Sequence, residues 1–278
     1  MIIDVSSWQE TIDWEKVKAA GVDGVILRLG YGYLGKDSYF DRNLSECNRL
    51  GIPYGIYLYS YAYDANFAYA EANGTAQMLE GKDLSNLKYP IYYDIEGFKS
   101  WEDDDGSIRK APTKVAQYES IIGTYINRMS ELGYGNMVQV YSGRYYTQTR
   151  LNSPNILPYV SWIAEYESPV LNYKNTYYNN GDVAWQYSSS EKVNGVKGNT
   201  DTSAFPSAEF TVKPYQVVLS DSSVTLSLGA TKTVSASVNP FKFVDQGVMW
   251  SSSDSSVASV EQNGTIHANK SGTATRCV

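Results

Sequence analysis

The sequence predicts an α/β fold, a modified (β/α) barrel of the TIM-barrel type with an irregular last third, followed by a small all-β sandwich. Up to about residue 210, extended apolar runs alternate with helical patterns, which is typical of a parallel sheet. Beyond that point, 20 of the final 68 residues are Ser or Thr, and short runs of alternating apolar and polar residues replace the helices. We therefore expect two domains, residues 1–210 and residues 211–278.

Strands and helices alternate along the first predicted domain. Each predicted helix ends close to a glycine, the residue that most readily adopts the left-handed conformation of a helix cap. Eight such strands would close a barrel, and the functional groups of barrels of this type gather at the carboxyl ends of the strands. The predicted strands cover residues 1–5, 24–29, 54–61, 90–96, 137–141, 159–165 and 183–187, and the predicted helices cover residues 13–20, 39–50, 66–79 and 113–132.

The second predicted domain consists of short strands with no helical pattern between them. Trp250 is the only tryptophan after residue 210, and we expect it to fill the core. A two-sheet sandwich buries the inner face of each sheet, which the alternating pattern supplies. The predicted strands cover residues 224–228, 233–238 and 257–260.

Charge and residue types exclude several classes of function. Residues 1–210 hold 18 Lys and Arg against 26 Asp and Glu, so this domain lacks the basic surface that nucleic-acid phosphates require. The only histidine is His267, which excludes a Ser-His-Asp triad, a Cys-His dyad and a histidine-ligated zinc ion from the first domain. No apolar run approaches the roughly 18 residues of a membrane span. We expect neither a metal ion nor a cofactor.

A pair of carboxylates at one strand end gives the most specific chemical signal. Asp94 and Glu96 lie two residues apart, so a strand would project both side chains from the same face. Neighbouring acids resist double ionisation, which raises the pKa of at least one and provides a proton donor near neutral pH. The tripeptide Asp-x-Glu is common, however, and strand-end acids that bind a lysine or cap a loop are the alternative interpretation.

Two further acids are expected at the same rim. Asp4 ends the first predicted strand, although its position is equally consistent with a hydrogen-bond anchor for the N-terminus. Asp201 follows the last predicted strand, where an aspartate often bonds its own backbone in a turn. Together with Asp94 and Glu96, these acids in a histidine-free domain favour glycoside cleavage, which requires little beyond two carboxyl groups.

Aromatic side chains are concentrated in the first domain, which holds 24 of the 25 tyrosines. Such rings pack against sugar faces, and they also fill barrel cores. The acidic balance of the domain favours a sugar over a nucleic acid as the ligand. The rings on the predicted strands include Tyr57, Tyr59, Tyr61, Tyr141, Trp162 and Trp185, and one or two of them are expected to line a sugar-binding groove.

Seven motifs follow one another along residues 1–208. They are DVSSWQ (4–9), GVILR (24–28), GIY (55–57), YDIE (93–96), WIAEY (162–166), WQYS (185–188) and GNTD (198–201). In this order they resemble the landmarks of glycoside hydrolase family 25, which contains lysozymes of the muramidase type. The ordered set is far more specific than any single motif.

The resemblance implies a flattened barrel that hydrolyses the β-1,4 bond from N-acetylmuramic acid to N-acetylglucosamine in bacterial peptidoglycan. By matching position, Glu96 would be the general acid that protonates the leaving oxygen. Asp94 would stabilise the positive charge that develops on the sugar or on a participating N-acetyl group, and Asp4 and Asp201 would complete the acidic pocket. The expected substrate contacts are Tyr59, Tyr141, Trp162 and Gln186.

The tail resembles a bacterial immunoglobulin-like domain of group 2. The resemblance rests on VMWSSSD (248–254) and GTAT (272–275). Such modules occur in surface proteins as spacers or adhesive units, so we expect the small sandwich to be immunoglobulin-like.

Three functions are open from the sequence. The first is a peptidoglycan hydrolase (lysozyme, 1,4-β-N-acetylmuramidase) that acts as a monomer on glycan strands, outside the cell or at the cell wall, with its leader absent from this sequence. The second is a chitinase-like enzyme or endo-β-N-acetylglucosaminidase, which would use the same carboxylate pair. The third is a non-catalytic cell-wall-binding protein that retains the barrel for its sugar affinity.

Overall fold

The computed structural model describes residues 1–103, 106–178, 182–206, 216–239 and 247–278. The chain forms two compact units, residues 1–212 and residues 213–278, and each has a hydrophobic core of its own. The boundary predicted between residues 210 and 211 lies outside the described residues.

Eight of the strands described in the first unit close a barrel. The strands of this unit are β1 (Ile2–Val5), β2 (Gly24–Tyr31), β3 (Gly35–Lys36), β4 (Tyr54–Tyr59), β5 (Leu87–Asp94), β6 (Trp101–Glu102), β7 (Ile108–Arg109), β8 (Val138–Gly143), β9 (Val160–Ala164), β10 (Ala184–Glu191) and β11 (Thr200–Ala204). Strands β1, β2, β4, β5, β8, β9 and β10 are parallel neighbours in that order. Strand β11 is antiparallel to both β10 and β1 and closes the ring.

The α-helices described in this unit lie between the strands of its first two thirds. Side-chain caps fix where two of them begin: Asp13 accepts the Lys16 N–H at 3.2 Å. Asp64 accepts the Phe67 N–H at 2.8 Å. None of the helices in the described part of the chain is both long and apolar enough to cross a membrane. The helices are α1 (Trp14–Ala19), α2 (Phe40–Leu50), α3 (Ala65–Leu79), α4 (Val115–Glu131) and α5 (Arg144–Arg150).

The predicted α/β barrel is confirmed, and several local predictions differ from the structure. The strand predicted at 90–96 ends at Asp94. Helix α5 was not predicted, because its sequence RYYTQTR lacks a helical stripe of apolar residues. Strand β11 lies where a turn was expected, because its sequence TDTSA is polar although Thr202 and Ser203 are fully buried.

The last third of the barrel is irregular, as predicted. Residues 165–183 connect β9 to β10, and the described parts of this connection, 165–178 and 182–183, contain no helix. The pairing of β10 with β11 shifts register twice. Register shifts of this kind turn side chains to new directions near functional sites.

An aromatic cluster fills part of the barrel interior. The Trp162 ring is 2% exposed, and its centroid lies 4.8 Å from that of Tyr92 and 4.4 Å from that of Tyr141. Its indole N–H donates to Ser203 Oγ at 3.1 Å, so the one polar atom of the ring is satisfied. This packing makes the interior a rigid support for the strand ends.

The second unit consists of small antiparallel sheets, which fit the predicted immunoglobulin-like sandwich. Trp250 is 6% exposed and packs with Val234 and Ile266 in the core, as predicted. The strand predicted at 224–228 is wrong, although Val224 and Leu226 pack against that core. The strands described are β12 (Gln216–Leu219), β13 (Thr231–Thr233), β14 (Ala236–Asn239), β15 (Ser251–Ser252), β16 (Ala258–Val260), β17 (Thr265–Ala268) and β18 (Arg276–Cys277).

Candidate active site

A cavity of about 710 Å³ lies at the carboxyl ends of the barrel strands. Such strand ends carry the functional groups of α/β barrels. The cavity is open to solvent and lined mainly by polar and aromatic side chains. All eight side chains singled out from the sequence line it: Asp4, Tyr59, Asp94, Glu96, Tyr141, Trp162, Gln186 and Asp201.

The end of β5 places the first pair of acids. Asp94 is the last residue of the strand, and the Ile95 N–H donates to the Tyr141 carbonyl at 3.0 Å, which continues the extended backbone. Asp94 and Glu96 therefore both reach the cavity. Tyr93 points to the other side, where α3 and α4 cover the barrel.

Burial makes both acids of this pair reluctant to ionise. Asp94 is 5% exposed, and among the described residues its Oδ1 has no hydrogen-bond partner. Burial first, and then the Glu96 charge, raise the pKa of Asp94 well above its usual range, while Arg28 acts in the opposite direction.

Glu96 is the solvent-accessible member of the pair. The residue is exposed in the open cavity, yet protein atoms crowd its carboxyl group, and this burial is the main cause that raises its pKa. The nearby Tyr141 hydroxyl lowers the pKa, and the charge of Asp201 raises it further. Glu96 is therefore a protonatable group that a ligand in the cavity can reach.

The second pair of acids forms where the barrel closes. Asp4 on β1 lies directly opposite Asp201 on the antiparallel strand β11, so neighbouring strands hold the two carboxyls together. Burial and the nearby Asp201 raise the pKa of Asp4 well above its usual range. Burial also raises the pKa of Asp201, and a hydrogen bond with Asp4 offsets part of that rise. Asp201 is thus a strand residue, which corrects the expected turn.

Gln186 orients this second pair. Its Nε2 donates to Asp4 Oδ2 at 2.9 Å and to Asp201 Oδ2 at 3.4 Å. Its Oε1 accepts the hydroxyls of Tyr141 at 2.6 Å and Tyr166 at 2.5 Å. Because the two hydroxyls are donors, the amide nitrogen must face the acids. Gln186 is 2% exposed, so it acts on the cavity mainly through these partners.

The rings expected to contact a substrate differ in how much surface they offer. Trp162 and Tyr141 are 2% and 6% exposed, so they form the floor of the cavity. Tyr59 is half-buried, and its hydroxyl donates to the Gly97 carbonyl at 2.7 Å. Of the three rings, Tyr59 presents the most surface to the cavity.

Trp8 and Arg28 are among the cavity residues that were not predicted from the sequence. Trp8 lies on a short 3-10 turn after β1 and is 82% exposed at the rim. Arg28 on β2 donates to Asp37 Oδ2 at 2.7 Å and to Ser7 Oγ at 2.8 Å. A large aromatic residue four positions after a strand-end acid was the available signal for Trp8. The role of Arg28 follows only from the folded arrangement of β1 and β2.

A buried carboxylate supports the pair on β5 from behind. Glu71 on α3 is fully buried and accepts the Tyr93 hydroxyl, the Ser60 hydroxyl at 2.9 Å and the Tyr61 N–H at 2.7 Å. Burial raises the pKa of Glu71 to about 7, although these hydrogen bonds lower it in part. Glu71 therefore joins the end of β4 to the strand that carries Asp94.

Histidine, cysteine and acidic side chains are the groups that would ligate a metal ion. Within the described ranges, no three or more histidine, cysteine or acidic side chains are arranged to hold a metal ion.

Comparison with known families identifies the barrel. Residues 3–196, well over half of the chain, match the family model described as glycosyl hydrolases family 25. The chain belongs to this family. Residues 215–275 match the bacterial Ig-like domain of group 2.

Several named proteins and solved structures are similar to this family 25 chain. The modular autolysin LytC from Streptococcus pneumoniae is 43% identical with a TM-score of 0.65, over 73% of this chain and 45% of that one. The autolytic lysozyme of Clostridium acetobutylicum is 28% identical over 203 residues, which cover 73% of this chain and 55% of that protein. The chain thus spans about half the length of these two relatives. A lysozyme from Streptomyces coelicolor, 23% identical over 74% of this chain and 92% of that one, shares the fold with a TM-score of 0.59.

Proposed function

We propose that this protein is a lysozyme of the N-acetylmuramidase type (EC 3.2.1.17), which hydrolyses the β-1,4 bond between N-acetylmuramic acid and N-acetylglucosamine in peptidoglycan. The observation that carries the proposal is the carboxylate pair Asp94 and Glu96 in the open cavity of a family 25 barrel. The names of relatives support it, since they include an autolysin solved with a synthetic peptidoglycan ligand.

Glu96 is the proposed general acid. Its raised pKa keeps a proton available, and its exposure lets that proton reach the oxygen of a glycosidic bond. Protonation of this oxygen allows the bond to the leaving sugar to break without forming an alkoxide.

Asp94 is the proposed partner that faces the sugar. Its carboxyl lies in the cavity wall, and its Oδ1 is buried without a hydrogen-bond partner among the described residues, so no donor neutralises the charge of this oxygen there. When Glu96 holds the proton of the pair, the Glu96 charge that raises the pKa of Asp94 is absent and Arg28 favours the ionised form. The ionised Asp94 then stabilises the positive charge on the sugar ring or on the N-acetyl group. Water then completes hydrolysis.

The remaining cavity residues have proposed roles in shape and binding. Asp4 and Asp201, oriented by Gln186, form the acidic wall opposite the β5 pair. Tyr59 offers a partly exposed ring to a sugar face, while Tyr141 and Trp162 form the floor beneath it.

The Glu96→Gln variant tests the proposal. Glutamine keeps the size of the side chain but cannot donate the proton, so we expect the release of new reducing ends from purified peptidoglycan to fall at least about a hundredfold. Glu131→Gln, which alters an exposed carboxylate paired with Arg128 on α4, is the matched control and should retain wild-type activity.

The chemistry of the products separates the proposal from its alternatives. Mass spectrometry should find the new reducing ends on N-acetylmuramic acid. Reducing ends on N-acetylglucosamine would indicate an endo-β-N-acetylglucosaminidase instead. Binding of peptidoglycan without any released fragment would indicate a wall-binding protein.

The proposed setting follows from the substrate. Intact peptidoglycan lies outside the membrane, so we propose that the protein acts as a monomer outside the cell or at the cell wall. The Ig-like unit is proposed as a spacer or adhesive module, in keeping with its small all-β fold.

A further inference from the structure

Glu96 lies beyond the regular part of the barrel sheet. Strand β5 ends at Asp94, two residues before Glu96 in the chain. The side chain of Glu96 is exposed in the open cavity, where its several rotatable bonds allow the carboxyl group to move. The strand alone therefore does not fix the position of this carboxyl group, and other contacts must hold the backbone that carries it.

A buried serine holds the peptide group that precedes Glu96. Ser142 on β8 is fully buried, and its Oγ donates to the Ile95 carbonyl at 2.6 Å. The Ile95 N–H donates to the carbonyl of Tyr141, the residue before Ser142, at 3.0 Å. Two successive residues of β8 thus hold both polar backbone groups of Ile95, and the side-chain hydroxyl continues the contact between β5 and β8 past the end of β5.

A tyrosine holds the chain on the other side of Glu96. The hydroxyl of Tyr59, the last residue of β4, donates to the Gly97 carbonyl at 2.7 Å. Strands β4 and β8 are the two neighbours of β5 in the sheet. The backbone of Glu96 is therefore held between two side-chain hydroxyls, one from each neighbouring strand.

The turn that follows Glu96 is closely packed. Gly97 has a φ of 84°, which favours glycine, and a Cβ atom there would lie 2.8 Å from the Tyr146 hydroxyl oxygen. The Tyr146 hydroxyl is itself bonded to the hydroxyl of Tyr118. Because this bond restrains the Tyr146 ring, the turn has little room to shift.

The position of a general acid has a large effect on the rate. Such a group must come within about 3 Å of the oxygen that it protonates. A displacement of about 1 Å can slow a reaction by about a hundredfold. The two hydroxyl contacts therefore lie where a small change in the backbone would alter the transfer of a proton from Glu96.

We propose that Ser142 is a positioning residue for Glu96, and that the Tyr59 hydroxyl has the same role on the other side of Glu96. This inference rests on the proposed function, because it takes Glu96 as the general acid. Loss of either hydroxyl weakens the transfer of the proton and leaves the binding of the sugar and the role of Asp94 intact.

Two substrates with different leaving groups separate proton transfer from the rest of the reaction. In peptidoglycan the leaving oxygen needs a proton. A dinitrophenyl β-glycoside of the disaccharide GlcNAc-MurNAc instead releases dinitrophenolate, a stable anion that leaves without one. The measurement is kcat/KM on both substrates, which reports the steps up to cleavage of the bond.

Ser142→Ala should lower kcat/KM on peptidoglycan by about tenfold and leave kcat/KM on the dinitrophenyl glycoside within about twofold of the wild type. Glu96→Gln should show the same selective loss with a larger magnitude. Asp94→Asn should lose activity on both substrates, because both pass through a positively charged sugar.

Ser161→Ala is the matched control for the loss of a buried hydroxyl. Ser161 on β9 is also fully buried, and it does not line the acidic cavity. This variant should keep the wild-type kcat/KM on both substrates. Tyr59→Phe, which keeps the ring and removes the hydroxyl, provides a second measurement if Ser142→Ala does not fold, and the same selective loss is expected.

Two outcomes would overturn the inference. Equal losses on the two substrates would show that Ser142→Ala disturbs the whole cavity. Wild-type kcat/KM on both substrates would show that Glu96 is placed without the Ser142 hydroxyl. Failure of the proposed function is seen separately, as a Glu96→Gln protein that keeps wild-type turnover or as wild-type protein that releases no reducing ends from peptidoglycan.

Discussion

The two pairs of carboxylates in the cavity are built in different ways. Asp94 and Glu96 come from one strand end, and the spacing of two residues brings them together. Asp4 and Asp201 come from opposite ends of the barrel domain and meet only because β11 runs antiparallel to β1.

The two pairs also differ in how their carboxyl groups are hydrogen-bonded and in how open they are to a ligand. The β5 pair faces an open cavity, and Asp94 has an oxygen without a partner among the described residues. Asp4 and Asp201 form the closing pair, named for the place where the barrel closes. Gln186 donates to this pair, and a hydrogen bond joins its two carboxyls. We infer that the β5 pair does the chemistry and that the closing pair sets the electrostatic field in which it works.

Asp94→Asn should show the largest effect and tests this division directly. The amide cannot supply the negative charge that stabilises the developing sugar cation, so we expect kcat/KM on peptidoglycan to fall about a thousandfold. Chromatography of the released fragments under initial-rate conditions measures it. If Asp201→Asn caused an equal loss, the two pairs would be equivalent and the division would be wrong.

Asp201→Asn should lower kcat/KM on peptidoglycan by only about tenfold and should also shift the dependence of kcat/KM on pH. Loss of the Asp201 charge removes one cause of the raised pKa of Glu96, so the proton donor is lost at lower pH. The alkaline limb of kcat/KM against pH should therefore move to lower pH.

Tyr141→Phe is the matched variant for which we expect the pH profile to shift in the opposite direction. Its hydroxyl lowers the pKa of Glu96, so its removal should move the alkaline limb to higher pH. Shifts in the same direction for both variants would show that Glu96 is not the group that titrates.

Glu71→Gln should have the smallest effect on catalysis and a measurable one on stability. The pKa of Glu71 is about 7 in the folded protein and about 4.5 in an unfolded chain. The protonated form is favoured by folding, so its stabilisation is complete below pH 4.5 and is lost as the pH rises through 7. Glutamine cannot ionise, and its amide can still bond to the Tyr93 and Ser60 hydroxyls.

Denaturant unfolding at several pH values measures this effect. The free energy of unfolding of the wild type should fall by up to about 3 kcal/mol more than that of Glu71→Gln between pH 4.5 and 8. Glu131→Gln, at an exposed site on α4, should keep the wild-type slope. Parallel slopes for wild type and Glu71→Gln would contradict the assignment.

The same comparison explains what the sequence could predict. The β5 pair, the parallel strands and the order of the long helices follow from local periodicity, because each is set within a few residues. Strand β11 could not be predicted in this way. Thr200 and Thr202 are fully buried there, but their side chains are polar and signal a loop.

Roles that depend on contacts between distant parts of the chain could not be predicted from the sequence either. Gln186 stays a predicted substrate contact, and it also joins tyrosines from two other segments to Asp4 and Asp201. Trp162 was expected in the groove and is buried as its floor. Sequence motifs place these residues near the cavity, but they do not show whether a side chain is exposed to the ligand or buried in the cavity wall.

The position of β11 in the chain has a consequence for the synthesis of the protein. This strand is the last of the barrel along the chain, and it both closes the sheet and delivers Asp201 to Asp4. A nascent polypeptide that has emerged only as far as β10 lacks an edge of its barrel and one acid of its cavity. The acidic cavity is therefore complete only in a chain that has been translated past β11.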